Sequence, residues 1–210
     1  SNSGSAALSG NVSINKVNSD IDAYLTNIDS LVVTGKDSDG FAVKIDATDG
    51  SEIYAVALGV AYAGVGAVSV TYAENTINSD IDALISQTNL TATTGKVSHK
   101  ANSEADIISI AIGAAVSKND NPDFDTKLGL SVAAAVSNNL VRMNTRAKVT
   151  NGSTITLPSH DLATARLDVA ASNETDVIAV VVAAAVAIET GGKTTVSLTG
   201  AGASVSNEVY

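Results

Sequence analysis

An internal repeat is the feature that most constrains what this sequence can fold into. The hexapeptide Asn-Ser-Asp-Ile-Asp-Ala occupies residues 18–23 and recurs at residues 78–83, 60 positions later. A second anchor runs in step with the first: an alanine, four residues, an acidic residue and an aliphatic one, beginning at Ala47, Ala101 and Ala171. Because two independent anchors recur in the same order, the sequence predicts an array of repeated structural units.

One asparagine marks each repeat, and an aliphatic residue follows it two positions later. The four copies, 60, 64 and 68 residues apart, are Asn15, Asn75, Asn139 and Asn207. If equivalent residues stack, these amides can form a ladder in which each side chain donates to one neighbour and accepts from the other. The alternative is a row of carbohydrate-binding amides. Each asparagine follows an apolar segment, so we expect a strand to end there and a turn to begin.

The alternation of side-chain size indicates strands rather than helices. In residues 128–136 the larger residues fall on even positions, where Ala134 is the one small residue, and Gly, Ser and Ala fall on odd ones. In residues 53–62, after Ile53, the large residues again take the even positions. A period of two belongs to the β-strand, and the many β-branched residues and glycines disfavour Ala-rich helices. Since these strands read as apolar on both faces, we expect sheets covered on both sides, with the small face permitting a close approach.

The sequence therefore predicts an all-β fold, a β-solenoid-like stack of three and a bit repeats of 60–70 residues with parallel pairing between equivalent strands. We expect residues 1–210 to form one continuous array, with units at approximately 5–63, 64–126 and 127–193 and a partial unit at 194–210. No capping sequence is recognisable at either end. We therefore expect an interior segment of a longer array, whose open strand edges associate end to end with further copies.

Composition narrows the possible functions. The net charge is −10 and no Lys/Arg cluster is present, so we expect no nucleic-acid binding. Cysteine is absent, which removes disulfides and thiol chemistry. The apolar runs at 107–116 and 177–188 are shorter than the roughly 20 residues of a spanning helix, so we expect no membrane insertion. Aromatic residues are few and the two histidines, His99 and His160, are isolated, so we expect no enzyme.

Two acidic loops, at residues 36–40 and 119–125, are candidate calcium sites. Their candidate ligands are Asp37, Asp39, Asp120, Asp123 and Asp125. Carboxylate oxygens suit Ca²⁺, but the first loop matches only half of a calcium-binding loop and lacks its terminal Glu. Ordinary turn chemistry is the alternative reading of both loops. No other cofactor is expected.

The repeated hexapeptide also places paired carboxylates on one strand face. They are Asp20, Asp22, Asp80 and Asp82. Stacking would bring like charges close together, which leaves three readings open: a solvated face, a bridging cation, or a glycosidase-like acid pair. The third repeat carries Arg142, Asn144 and Arg146 instead of the acidic pattern, so no such role extends along the whole array.

The segment "VSVTYAENTINSDIDALI", followed by a turn, the alanine–acid anchor and "IISIAIGAAV", resembles the Ala/Gly/Val-rich repeat arrays of giant secreted bacterial exoproteins. Those arrays occur in adhesins and leukotoxin-like proteins exported by autotransporter or two-partner routes, and the resemblance covers essentially the whole chain. It implies a structural or adhesive segment at the bacterial surface, with further copies of the repeat and a host or neighbouring-cell surface ligand as partners. The alternative is a β-helical polysaccharide-active enzyme or a carbohydrate-binding module.

Overall fold

The computed structural model describes residues 5–120, 126–158, 166–191 and 193–210, and these residues form an all-β fold. The first sheet contains, in spatial order, β1 (Ala6–Val33), β3 (Gly66–Ala92), β5 (Thr126–Thr150) and β8 (Thr194–Val209), and the short β6 (Thr154–Thr156) pairs with β3. The second sheet contains β2 (Phe41–Ala63), β4 (Lys96–Asn119) and β7 (Leu167–Glu189). All strand pairs are parallel, which confirms the predicted fold class.

Successive repeats pair in register. Residues 6–26 of β1 pair one to one with residues 66–86 of β3, so the two copies of the hexapeptide lie side by side. Asn75 pairs directly with Asn139, as an in-register stack requires. The chain alternates between the sheets, so each unit supplies one long strand to the first sheet and one to the second.

The strands are much longer than the sequence predicted. The 27 residues of β3 have a contour length of about 90 Å at roughly 3.3 Å per residue. The prediction that a strand ends at each asparagine is wrong, because Asn15 and Asn75 lie in the middle of β1 and β3. The polar hexapeptide that follows them continues the strand: its aspartates point outward, and its isoleucine and alanine point into the core.

A recurring backbone irregularity lies further along the chain. Asn27, Gln87 and Asn151 have positive φ angles of 58°, 48° and 54° and occupy equivalent positions in the three units. In β1 the pairing skips this residue, and in the third unit it falls in the turn between β5 and β6. A single left-handed residue bends a strand locally, so this position marks the corner of each unit.

The two sheets face each other through their small residues. Clusters of buried alanines lie between them, including Ala57, Ala73, Ala111 and Ala135. A Cβ added to Gly113 would lie 2.7 Å from the backbone oxygen of Ala134 in the opposite sheet, so the backbones approach closely there. Towards the corner the core contains larger residues, among them Ile45, Ile81 and Ile85.

The expectation that both faces of the sheets are covered is wrong for the described residues. The large side chains of the alternating pattern point outward, and Tyr54 and Leu58 are 68% and 54% exposed. An apolar strand can turn either face inward. The inward face is the small one because Ala, Gly and Ser allow the two backbones to approach closely along long strands.

Candidate functional surfaces

The four asparagines form a continuous hydrogen-bonded row across the first sheet. The Asn15 amide donates to Asn75 at 2.9 Å, Asn75 donates to Asn139 at 2.8 Å, and Asn139 donates to Asn207 at 2.8 Å. The side chains point between the sheets, where Asn75 is fully buried and Asn139 is 2% exposed. Each amide satisfies the next, as buried polar groups require. In this position the inner members of the row are not accessible to a sugar.

The paired carboxylates lie on the outer face of the first sheet, and an arginine of the third repeat binds the two that belong to the second repeat. Asp20 pairs in register with Asp80, and Asp22 with Asp82. Arg146 lies in register with Asp82; it donates to both oxygens of that carboxylate and to Asp80 at 2.7 Å. The arginine lowers the pKa of Asp82, and Asp82 in turn raises that of Arg146. The third repeat therefore supplies one positive charge, at Arg146, to the two carboxylates of the second repeat.

The first acidic loop is held by its own turn contacts. Asp37 accepts hydrogen bonds from the backbone amides of Asp39 and Phe41, at 3.0 and 2.8 Å. Lys44 lies 3.6 Å from the carboxylates of both Asp37 and Asp39. The Phe41 amide is the main cause of the lowered pKa of Asp37. These contacts are those of an Asx turn.

The second acidic loop is described only in part. Asp120 forms an ion pair with Lys118 at 3.2 Å, which lowers the pKa of Asp120. Asp123 and Asp125 lie outside the described residues. Within the described ranges, no group of three or more His, Asp or Glu side chains is arranged to hold a metal ion. Calcium binding at these loops stays a prediction.

Two shallow grooves cross the outer face of the first sheet. The larger, about 430 Å³, is lined by residues including Asn18, Asn78, Asp80 and Arg142, and Asp80 is one of the two carboxylates that Arg146 binds. The smaller, about 260 Å³, contains Glu74 and Glu208. Each of these glutamates accepts a hydrogen bond from a tyrosine two residues away in sequence, at 2.8 and 2.9 Å.

Sequence reasoning missed three buried polar residues. His99 is fully buried in β4, and its Nε2 contacts the backbone oxygen of Lys148 at 3.0 Å while Nδ1 has no hydrogen-bond partner. Burial lowers the pKa of His99. Asp49 accepts hydrogen bonds from Ser51 and Ser79, and Lys127 is 1% exposed. All three fall on the same alternate positions as the small inward-facing residues of their strands, and this alternation was the signal in the sequence that could have identified them.

The outermost strands are β1 and β2 on one side of the stack and β8 and β7 on the other. Within the described part of the chain, each of these four strands pairs along one edge only. A strand edge of this kind presents a row of unpaired N–H and C=O groups that can template further pairing. Any surface for end-to-end assembly lies here.

Comparison with known proteins gives no relative: no family model, no curated protein and no solved structure matches this chain. The described residues include no helix of the length and hydropathy needed to cross a membrane.

Proposed function

We propose that the chain is a structural and adhesive segment of a large extracellular bacterial surface or fibre protein. One observation carries the proposal: repeats of unequal length stack in register across two parallel sheets, and the outermost strands of the described residues have one unpaired edge each. Such a stack can be extended by further rungs without changing its cross-section.

The architecture suits a stalk. Tension along the stacking axis acts on the hydrogen bonds between neighbouring long strands, and residues 66–86 pair with residues 130–150 without interruption. These hydrogen bonds run along the stacking axis and lie side by side along each strand, so they share the load. The buried asparagine row adds side-chain bonds in the same direction. Adhesion would then be spread over the outer faces and not confined to one pocket.

End-to-end assembly can be tested on the 210-residue chain. We expect size-exclusion chromatography with light scattering to show species that grow with concentration, and fibre diffraction to give a reflection at about 4.8 Å along the stacking axis. A sharp monomer at high concentration would contradict assembly through the open edges.

Location and adhesion need separate measurements. Antibodies against the chain should label the surface of intact producing cells, and beads coated with the chain should bind bacterial or host cells more than uncoated beads do. Labelling confined to permeabilised cells would refute the extracellular proposal. Release of reducing ends from a panel of polysaccharides, lost on substitution of Asp80→Asn or Glu74→Gln, would instead support the polysaccharide-active alternative.

A further inference from the structure

The outer face of the second sheet carries an uninterrupted apolar block. Five consecutive rows of outward side chains, three per row, contain only Tyr, Val, Leu, Ile and Ala. The rows are Tyr54/Ile108/Ile178, Val56/Ile110/Val180, Leu58/Ile112/Val182, Val60/Ala114/Ala184 and Tyr62/Val116/Val186. We call these fifteen residues the apolar face. They lie in register on the three strands, so they form one continuous surface of about 27 Å along the strands.

The borders of the apolar face are charged. On one side the next row is Glu52, Asp106 and Asp176, three carboxylates in register. The charge of Glu52 is the main cause of the raised pKa of Tyr54, the first apolar residue beside it. On the other side the next row contains Lys118, which is exposed, and Ile188, which is apolar and 44% exposed. The acidic row ends the apolar face on all three strands at one side, and Lys118 ends it on β4 at the other.

We propose that the apolar face binds the same face of a second copy of this chain, so that two stacks associate side by side. In the isolated chain the large side chains of its two outer strands expose on the order of 1,000 Å², part of it along the open strand edges, against roughly 800 Å² that each partner buries in a standard stable complex. A monomer rarely exposes an apolar patch of this size. This lateral contact is distinct from the end-to-end contact through strand edges.

The shape of the apolar face fits its own copy. The row with Ala114 and Ala184 is a shallow trough between two rows of larger residues. A twofold axis along the stacking direction, through the central row at Ile112, reverses the strand direction of the partner. It places Ala114 opposite the partner's Ile110, and Ala184 opposite its Val180. Large residues of one copy thus enter the trough of the other, as packing between sheets requires.

The charges fit the same arrangement. Asp106 lies six residues before Ile112 and Lys118 lies six residues after it. The twofold axis therefore places Asp106 of each copy opposite Lys118 of the other, which gives two intermolecular ion pairs, both on β4. Lys118 also pairs with Asp120 of its own chain. Stacks joined with their strands in the same direction would instead superimpose the carboxylate rows, which like-charge repulsion opposes. The charges thus select one relative orientation.

Surface variants test the contact. Val182 and Val70 are each 46% exposed and point outward, from the second and the first sheet respectively. We expect Val182→Lys to weaken lateral association, measured by analytical ultracentrifugation of the 210-residue chain, by at least about 100-fold because it buries unpaired charges. The matched control Val70→Lys should leave association unchanged. Equal effects of the two variants, or a monomer at all concentrations, would overturn the proposal.

A charge exchange tests the orientation. Asp106→Lys and Lys118→Asp should each weaken association, and the double variant should restore it; a double variant no tighter than the singles refutes the antiparallel arrangement. The chain has no cysteine, so Ile112→Cys introduces one thiol at the predicted axis. It should give crosslinked dimers with a short bis-maleimide, whereas Val70→Cys should not. If the chain stays monomeric and binds phosphatidylcholine vesicles in a manner that Val182→Lys abolishes, the occupant is lipid and the proposal fails.

Discussion

The buried asparagine row makes a quantitative prediction about stability. Asn75→Ala removes the bond accepted from Asn15 and the bond donated to Asn139. Each such bond contributes about 1 kcal/mol net, and the Asn139 oxygen loses its partner in a site that is 2% exposed, which costs about a further 1–3 kcal/mol. We expect Asn75→Ala to lower the free energy of unfolding by about 3–5 kcal/mol.

Asn207→Ala is the matched control for this substitution. Asn207 accepts one hydrogen bond from the Asn139 amide and is itself exposed, so water can take the place of the Asn207 oxygen as acceptor in the variant. We expect a loss of at most about 1 kcal/mol. Urea unfolding followed by circular dichroism measures both values, with unchanged m-values as the condition for comparing them. If the two variants differ by less than about 1 kcal/mol, the amides do not stabilise the stack through mutual hydrogen bonds and the reasoning is refuted.

Three further predictions concern sheet spacing and pH. Gly113→Ala should destabilise the fold by about 1–3 kcal/mol in urea unfolding, because the added Cβ meets the backbone of the opposite sheet. The control Gly66→Ala, whose added Cβ has no atom within 4 Å, should stabilise the fold by about 0.5 kcal/mol. Equal effects of the two variants would contradict the close spacing of the sheets. Burial lowers the pKa of His99 in the folded state, so its contribution to the free energy of unfolding should be fully present above the ordinary pKa of 6.5. The free energy of unfolding should fall as the pH drops below that value, by up to about 1.4 kcal/mol per pH unit. His99→Gln should flatten this pH dependence. Arg146→Gln should lower the thermal midpoint at pH 7. Because Arg146 lowers the pKa of Asp82, the difference in thermal midpoint between the variant and the wild type should shrink as the pH falls through the acidic range in which Asp82 protonates. A difference in thermal midpoint that does not depend on pH would exclude this ion pair as the cause.

The repeat anchors in the sequence were sufficient to predict the fold class and the strand register. Identical residues recur at offsets of 60 and 64, and a parallel ladder pairs equivalent residues at those offsets. Register is strongly specified because a slip of one residue would exchange the two faces of a strand. The alignment of the four asparagines on neighbouring strands followed from the same offsets.

The strand boundaries were not predictable from local pattern. The polar hexapeptide after Asn15 and Asn75 looks like a break, because Asn, Ser and Asp favour turns in isolation. In the stack each copy pairs with its neighbour over its whole length, and this pairing overrides the local preference. The residues with left-handed backbone conformation at positions 27 and 87 are Asn and Gln and not Gly, so the sequence did not mark the bends that do occur.

The sequence by itself determined that this chain stacks equivalent strands in parallel, because its side-chain alternation and repeat offsets admit one register. Only the tertiary structure decided which face of each strand is buried. Both faces are apolar, so hydrophobicity alone does not distinguish them. The distance between the sheets does, because it accommodates Gly113 and the alanines but leaves no room for Leu58 or Ile112, and so the large residues face outward.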